Sequence, residues 1–125
     1  MPQLKTIFKD NGTVTAANAS PMSDGAAALI ICSGAAVKAH QLPIIARIIS
    51  WADANQQGID FTTTPALAIP KALAKAGIDL QDVDCFEINE AFSSVALANI
   101  KLLALDPQKV NKWGGAVALG HPLGW

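Results

Sequence analysis

The chain has 125 residues, of which 51% are apolar and 15% charged, and its formal net charge is −1. Such a composition supports a buried core and excludes a disordered protein. The nine lysines and arginines are scattered singly, so nucleic acid is not an expected partner. The longest unbroken apolar run, residues 26–32, is too short for a membrane span, and no membrane association is expected.

The first predicted element is a β-hairpin. Residues 4–8 and 13–15 are apolar or β-branched, and the intervening pair Asn11-Gly12 tolerates the positive φ of a tight turn. The opening residues, MPQLK, lack the features of a secretory signal, so the protein is expected to stay inside the cell.

Two strands and a helix are predicted next. Residues 26–32 form a continuous apolar run that is typical of a strand covered on both faces, and residues 35–41 read as a short helix. Pro43 closes that helix, and the isoleucine-rich residues 44–51 favour another strand. Because Cys32 and Cys85 lie in apolar stretches, both are expected to be buried free thiols.

The second half of the chain alternates helix and strand. A helix is predicted from Pro65, after candidate capping threonines, to a stop at Gly77. A strand over 83–88, a helix over 90–105 and an extended segment over 109–113 follow. The alternation predicts an α/β fold.

The first candidate site is Asn89 with Glu90, where a predicted strand meets a predicted helix. Ligands of α/β folds bind at such junctions, and the Asn89 amide offers both a donor and an acceptor. The residues alone favour a structural role, with Asn89 as helix N-cap and Glu90 as a partner of the helix dipole.

The second candidate is His121, inside the glycine-rich run GGAVALGHPLG at 114–124. Glycines let a ligand approach the backbone, and a histidine there suits proton transfer near neutral pH. A simple turn histidine would fit the same pattern. The glycine spacing matches neither the dinucleotide fingerprint nor the P-loop, and His40 reads as a surface residue.

Three motifs together resemble the thiolases. They are GTVTAANAS at 12–20 with DGAA at 24–27, NEAF at 89–92, and the glycine-rich run at 114–124, in the family's order and over essentially the whole chain. The resemblance implies the layered αβαβα thiolase fold. It assigns residues 1–22 to the end of the loop-domain region, 23–42 to the last strand and helix of the N-terminal domain, and 43–125 to an incomplete C-terminal domain.

The resemblance also implies a reaction and its residues. In the biosynthetic class, which the AANAS form resembles most, two acetyl-CoA molecules condense to acetoacetyl-CoA and CoA, through an acylated cysteine. His121 matches the histidine that activates this cysteine, and Asn89 matches the asparagine that holds an oxyanion-hole water. Ala91 and Phe92 are expected to line the acyl pocket, and Ser20 is expected to face the pantetheine arm of CoA.

Further expectations rest on the family alone. No cofactor is required beyond the CoA thioester substrate, but a potassium ion could bind main-chain carbonyls; the positions are Ala16, Ala17, Ala19 and Val117. The parent protein is expected to be a homodimer or homotetramer, and a cytoplasmic location is favoured over a mitochondrial or peroxisomal one.

The sequence departs from the family pattern in several places. The nucleophile's Cys-x-Ser-Gly segment and the later Cys-x-Gly-Gly-Gly segment are missing, and Cys32-Ser33-Gly34 imitates the former in the wrong context. Trp113 replaces a frequent asparagine, and Trp125 replaces a small residue or cysteine. We therefore expect a fragment that is inactive in isolation. Two alternatives are a degradative 3-ketoacyl-CoA thiolase and a non-catalytic acyl-CoA-binding or assembly module.

Overall fold

The computed structural model describes residues 3–123. Within that range the regular elements are four α-helices and three short 3-10 helices. The α-helices are α1 (Gly34–His40), α2 (Pro65–Ala76), α3 (Ser93–Leu103) and α4 (Ala116–Leu119), and the 3-10 helices span Gly58–Thr63, Leu80–Asp82 and Pro107–Lys109. None of the helices described is long and apolar enough to cross a bilayer.

α1 lies one residue earlier at each end than the predicted 35–41, whereas α2 has its predicted ends, although Thr64 makes no side-chain capping bond. α1 begins at the cap residue Ser33, whose Oγ accepts a hydrogen bond from the N–H of Ala36 at 3.2 Å. α2 begins with Pro65, whose missing N–H costs nothing at the first helical position, and it ends at Gly77 in a left-handed conformation with φ 66°.

α3 begins three residues later than predicted. Phe92 is extended, with φ −138° and ψ 152°, because the backbone here pairs with the segment before Ser20. The N–H of Ser20 donates to the carbonyl of Ala91 at 3.0 Å, and that of Ser93 donates to the carbonyl of Asn18 at 2.9 Å. Asn89 is therefore not the N-cap, and Glu90 is not in the first turn of the helix.

The predicted hairpin is confirmed. Thr6 and Thr15 form an antiparallel pair, and the N–H of Ile7 donates to the carbonyl of Val14 at 3.1 Å. Asn11 adopts a positive φ of 57°, as the turn requires.

Segments 83–88 and 109–113 meet in a parallel pair at Phe86 and Val110. The N–H of Phe86 donates to the carbonyl of Lys109, and the N–H of Asn111 donates to the carbonyl of Phe86, both at 2.8 Å. Asn111 then leaves the extended conformation with φ 47°. The predicted extended segment therefore ends at Val110, three residues early.

Segments 26–32 and 44–51 form neither helix nor strand in the described part of the chain. A strand needs the N–H and C=O groups of a neighbour, and these segments find no such partner there. Their side chains are open to solvent: Ile30 is 95% exposed and Ile45 is 96% exposed. Cys32 is exposed and Cys85 is partly buried, so the expectation of two buried thiols was wrong.

The core lies between α3 and the paired segments. Its buried apolar side chains are Phe86, Ile88, Val95, Ala96, Leu105 and Val110. Asn99 of α3 is fully buried among them and donates to the carbonyl of Thr62 at 2.8 Å, which fastens the 3-10 helix Gly58–Thr63 to α3. Because Ile88 belongs to this core, the next residue, Asn89, emerges from a rigid base.

Candidate active site

Asn89 and His121 lie together although 32 residues separate them in the chain. Asn89 Nδ2 is 3.2 Å from His121 Nε2. The contact fits a neutral imidazole whose Nε2 accepts a hydrogen bond from the amide.

His121 is held by its own backbone and by the glycine before it. Its N–H donates to the carbonyl of Pro21 at 2.9 Å, and the residue pairs in parallel with Met22. Gly120 has a φ of 97°, and a Cβ at that position would overlap the side chain of Ser23. Glycine is thus required where α4 turns into His121.

A cleft of about 620 Å³ opens beside this pair. Its lining comes from four stretches, which are residues 23–26, 87–89, 111 with 114–116, and 119–122. Asn89 and His121 both belong to the lining. The structure therefore brings the two predicted catalytic residues together at a shared opening.

The residues predicted to contact substrate, Ser20, Ala91 and Phe92, are not among those that line the cleft. Ser20 Oγ donates to the carbonyl of Ala91 at 3.1 Å, so its hydroxyl proton is engaged and its oxygen lone pairs stay available to a donor. Phe92 is half-buried and packs edge-on against two other rings, Phe8 at 5.3 Å and Phe61 at 6.1 Å between centroids. This aromatic group could not be predicted from the sequence, because its members are far apart in the chain.

The loop before Ser20 is shaped by Asn18. Its Oδ1 accepts from the N–H of Thr15 at 2.7 Å, and its Nδ2 donates to the carbonyl of Thr13 at 2.8 Å. Within residues 3–123, the carbonyls of the three neighbouring alanines accept no hydrogen bond; they are Ala16, Ala17 and Ala19. Free carbonyl oxygens of this kind fit a potassium ion.

Two further polar residues lie beside the site, and one of them, Asn111, was not singled out from the sequence. Asn111 and Glu90 are joined by a hydrogen bond of 2.8 Å, and the Glu90 carboxylate also accepts from the N–H of Val117 at 3.3 Å. Asparagine tolerates the left-handed conformation that residue 111 adopts, and this was the available signal. Gly124 and Trp125, which complete the third motif and the predicted departures, lie outside the described residues.

Comparison with known protein families decides the relationship. The family model of the thiolase C-terminal domain matches residues 42–125, and that of the thiolase N-terminal domain matches residues 1–35. The chain belongs to the thiolase family.

Individual thiolases agree with this assignment. An acetyl-CoA acetyltransferase of Saccharomyces cerevisiae is 60% identical over 96% of this chain and 31% of its own length. The Acat5 thiolase of Ascaris suum, crystallised with coenzyme A, is 51% identical with a TM-score of 0.94, over 98% of this chain and 33% of that one. A human mitochondrial 3-ketoacyl-CoA thiolase is 47% identical with a TM-score of 0.93, over 98% and 31%.

These matches confirm the predicted α/β thiolase fold. The chain spans about a third of the length of the thiolases it matches. Other matching proteins carry names that place them in different compartments, including a cytosolic and a mitochondrial acetyl-CoA acetyltransferase and a dimeric peroxisomal thiolase.

Proposed function

We propose that the complete thiolase containing these residues is an acetyl-CoA C-acetyltransferase, which condenses two acetyl-CoA molecules to acetoacetyl-CoA and CoA and also runs the reverse thiolysis. The observation that carries the proposal is the Asn89–His121 pair, 3.2 Å apart in an open cleft. The 60% identity to an acetyl-CoA acetyltransferase supports the biosynthetic class.

His121 serves as the proton acceptor in this proposal. Its unprotonated Nε2 takes the proton of the nucleophilic cysteine that the family carries in a separate segment. The resulting thiolate attacks the acyl carbonyl of one acetyl-CoA, and CoA thiolate leaves. The family's second cysteine, in its later Cys-x-Gly-Gly-Gly segment, protonates the departing CoA thiolate and, now itself a thiolate, takes an α-proton from a second acetyl-CoA. The resulting carbon nucleophile attacks the acyl-enzyme carbonyl, and the enzyme sulfur departs as a thiolate.

Asn89 stabilises the negative charge that develops on the second thioester. Its Nδ2, turned toward the cleft and His121, orients a water that donates to the thioester oxygen, while His121 donates directly once Nε2 is protonated. Ala91 and Phe92 bound the acyl group, and the Phe8 and Phe61 rings pack against Phe92 and hold it in place. Ser20 faces the pantetheine arm with its oxygen lone pairs.

The proposed ligand, oligomeric assembly, metal ion and location are those of related thiolases. Coenzyme A is the proposed ligand, as in the Ascaris suum thiolase, and a homo-oligomer is proposed after the dimeric peroxisomal thiolase. A potassium ion is proposed at the carbonyls of Ala16, Ala17, Ala19 and Val117, where it would add positive charge beside the CoA site. A cytosolic location is proposed, as in the cytosolic relative of Gibberella zeae.

A degradative thiolase for longer chains is the second candidate. It is favoured by the 47% identity to a human mitochondrial 3-ketoacyl-CoA thiolase. The two candidates differ in chain-length preference, so the ratio of kcat/KM for acetoacetyl-CoA to that for a long-chain 3-ketoacyl-CoA separates them. A ratio well above one supports the biosynthetic function.

The decisive variant is His121→Ala in the full-length protein. Loss of a positioned general base lowers kcat by roughly 100- to 10,000-fold, so we expect thiolysis of acetoacetyl-CoA to fall in that range. His40→Ala is the matched control, because His40 lies in the last turn of α1 and is exposed. Normal turnover by His121→Ala would rule out the proposed role, and saturable CoA binding without turnover by the wild type would favour a binding module.

A further inference from the structure

Asn111 binds both backbone polar groups of Ile88, the residue that precedes Asn89. Its Oδ1 accepts from the N–H of Ile88 at 2.8 Å, and its Nδ2 donates to the carbonyl of Ile88 at 2.9 Å. The side chain thus replaces the backbone pairing that ends at Phe86 and Val110. The reversed amide orientation would set an oxygen against a carbonyl and a carboxylate, so the orientation is fixed by its partners.

Glu90 extends this contact to the segment that carries His121. One carboxylate oxygen accepts from Asn111 Nδ2 at 2.8 Å, and the other accepts from the N–H of Val117 in α4 at 3.3 Å. A Cβ at position 115 would overlap the Glu90 carboxylate, so glycine is needed for the segment to approach this closely. The network therefore joins the residues on either side of Asn89 to the helix that leads into His121.

We propose that Glu90 and Asn111 act as one positioning unit that sets the separation of Asn89 and His121. The inference rests on the function proposed above, but it adds two residues to it. An N–H···N contact of 3.2 Å is near the long end of a useful hydrogen bond, so a shift of a fraction of an ångström would break it. Neither residue needs to touch the reacting atoms for its loss to misalign them.

The first test compares Glu90→Gln and Asn111→Ala in the full-length enzyme. Both partners of Glu90 are donors, so whichever way a glutamine is turned, its NH₂ group meets another donor. We expect each variant to lower kcat for acetoacetyl-CoA thiolysis by about 10- to 100-fold, with KM within about twofold, because misplaced catalytic groups cost rate rather than binding. The kcat of the double variant should be no lower than that of the less active single variant, because either substitution alone already disrupts the unit.

Lys109→Met is the matched control. Lys109 Nζ donates to the carbonyls of Gln81 and Val83 at 3.1 and 2.7 Å, so it clamps the same two stretches of chain at the end remote from the cleft. Its loss should lower Tm about as much as the loss of Asn111 but leave kcat within about twofold of wild type. A purely structural role for Glu90 and Asn111 would make all three variants behave alike.

A reversed pair gives an independent readout. Asn111→Asp alone places two carboxylates in contact and should be the least active single variant. Adding Glu90→Gln restores a donor opposite the new aspartate, so the pair Glu90→Gln/Asn111→Asp should recover at least about tenfold in kcat over Asn111→Asp. If Asn111→Ala fails to fold, this pair and the isosteric Glu90→Gln still carry the test.

The outcomes separate the inference from the proposed function. Values of kcat within twofold of wild type for Glu90→Gln, or losses that follow Tm as in Lys109→Met, would overturn the positioning role and leave the proposed function standing. If the wild-type enzyme fails to cleave acetoacetyl-CoA, the proposed function is lost. The positioning role is then tested by a crystal structure of the Glu90→Gln variant. An unchanged Asn89–His121 contact then overturns the inference, and a contact beyond hydrogen-bonding distance supports it.

Discussion

Two regions of this chain differ in what covers their apolar side chains. Around the site, Phe86, Ile88 and Val95 are buried against α3 and the paired segments, and Asn89 and His121 rest on that core. In segments 26–32 and 44–51, equally apolar side chains such as Ile45 are open. The site geometry is therefore built by contacts within these residues, whereas the open segments need cover that the described residues do not supply.

Replacing one isoleucine in each region should give the largest contrast. In the 125-residue chain, Ile88→Ala removes a side chain that is 6% exposed and should cost about 2–5 kcal/mol of unfolding free energy. Ile45→Ala removes one that is 96% exposed and should stay within about 0.5 kcal/mol. Urea unfolding of both variants measures the difference.

The full-length protein sharpens this comparison. If further chain or a second subunit covers segment 44–51, the cost of Ile45→Ala should rise to the range of about 2–5 kcal/mol. A neutral Ile45→Ala in both the short chain and the full-length protein would contradict the view that this segment becomes buried.

Alanine substitutions at two glycines should differ less in their effect on the free energy of unfolding. A methyl group at position 115 overlaps the Glu90 carboxylate, so Gly115→Ala should cost about 1–3 kcal/mol and disturb the site. Gly34 starts α1 with open space around its Cα, and Gly34→Ala should stabilise by up to about 1 kcal/mol. Thermal unfolding tests both, and a neutral Gly115→Ala would mean that Glu90 moves aside freely.

The smallest expected effect is at the start of α1, next to an open segment. Ser33→Ala deletes the acceptor of the Ala36 N–H and should cost about 1 kcal/mol if α1 is stably formed. Hydrogen exchange of the α1 amides measures this. Unchanged exchange would show that the helix gains nothing from its cap and depends on packing alone.

Local signals predicted the elements whose ends are fixed by neighbouring residues. Pro65 and Gly77 bound α2, and Asn11 turns the hairpin, because each acts through its own backbone conformation. The start of α3 was misplaced because the pairing of Ala91 with Ser20 competes with helix formation there, and that partner is distant in sequence. Propensity contains no information about such a partner.

The same distinction applies to the site. Asn89 and His121 were found because each lies in a motif with a chemical rationale and a resemblance to thiolases. Asn111 was missed because its role depends on contacts with Ile88 and Glu90 that appear only when the two segments pair. The predicted roles of Ser20, Ala91, Phe92 and the potassium-binding carbonyls stay predictions.

The most direct test of the central claim is the turnover of Asn89→Ala in the full-length protein with acetoacetyl-CoA and CoA. Removing one donor of an oxyanion hole typically lowers kcat by about 100- to 1,000-fold, and the account predicts a loss in that range with little change in KM. A kcat within twofold of wild type would contradict the claim that the Asn89–His121 pair carries the chemistry of this thiolase.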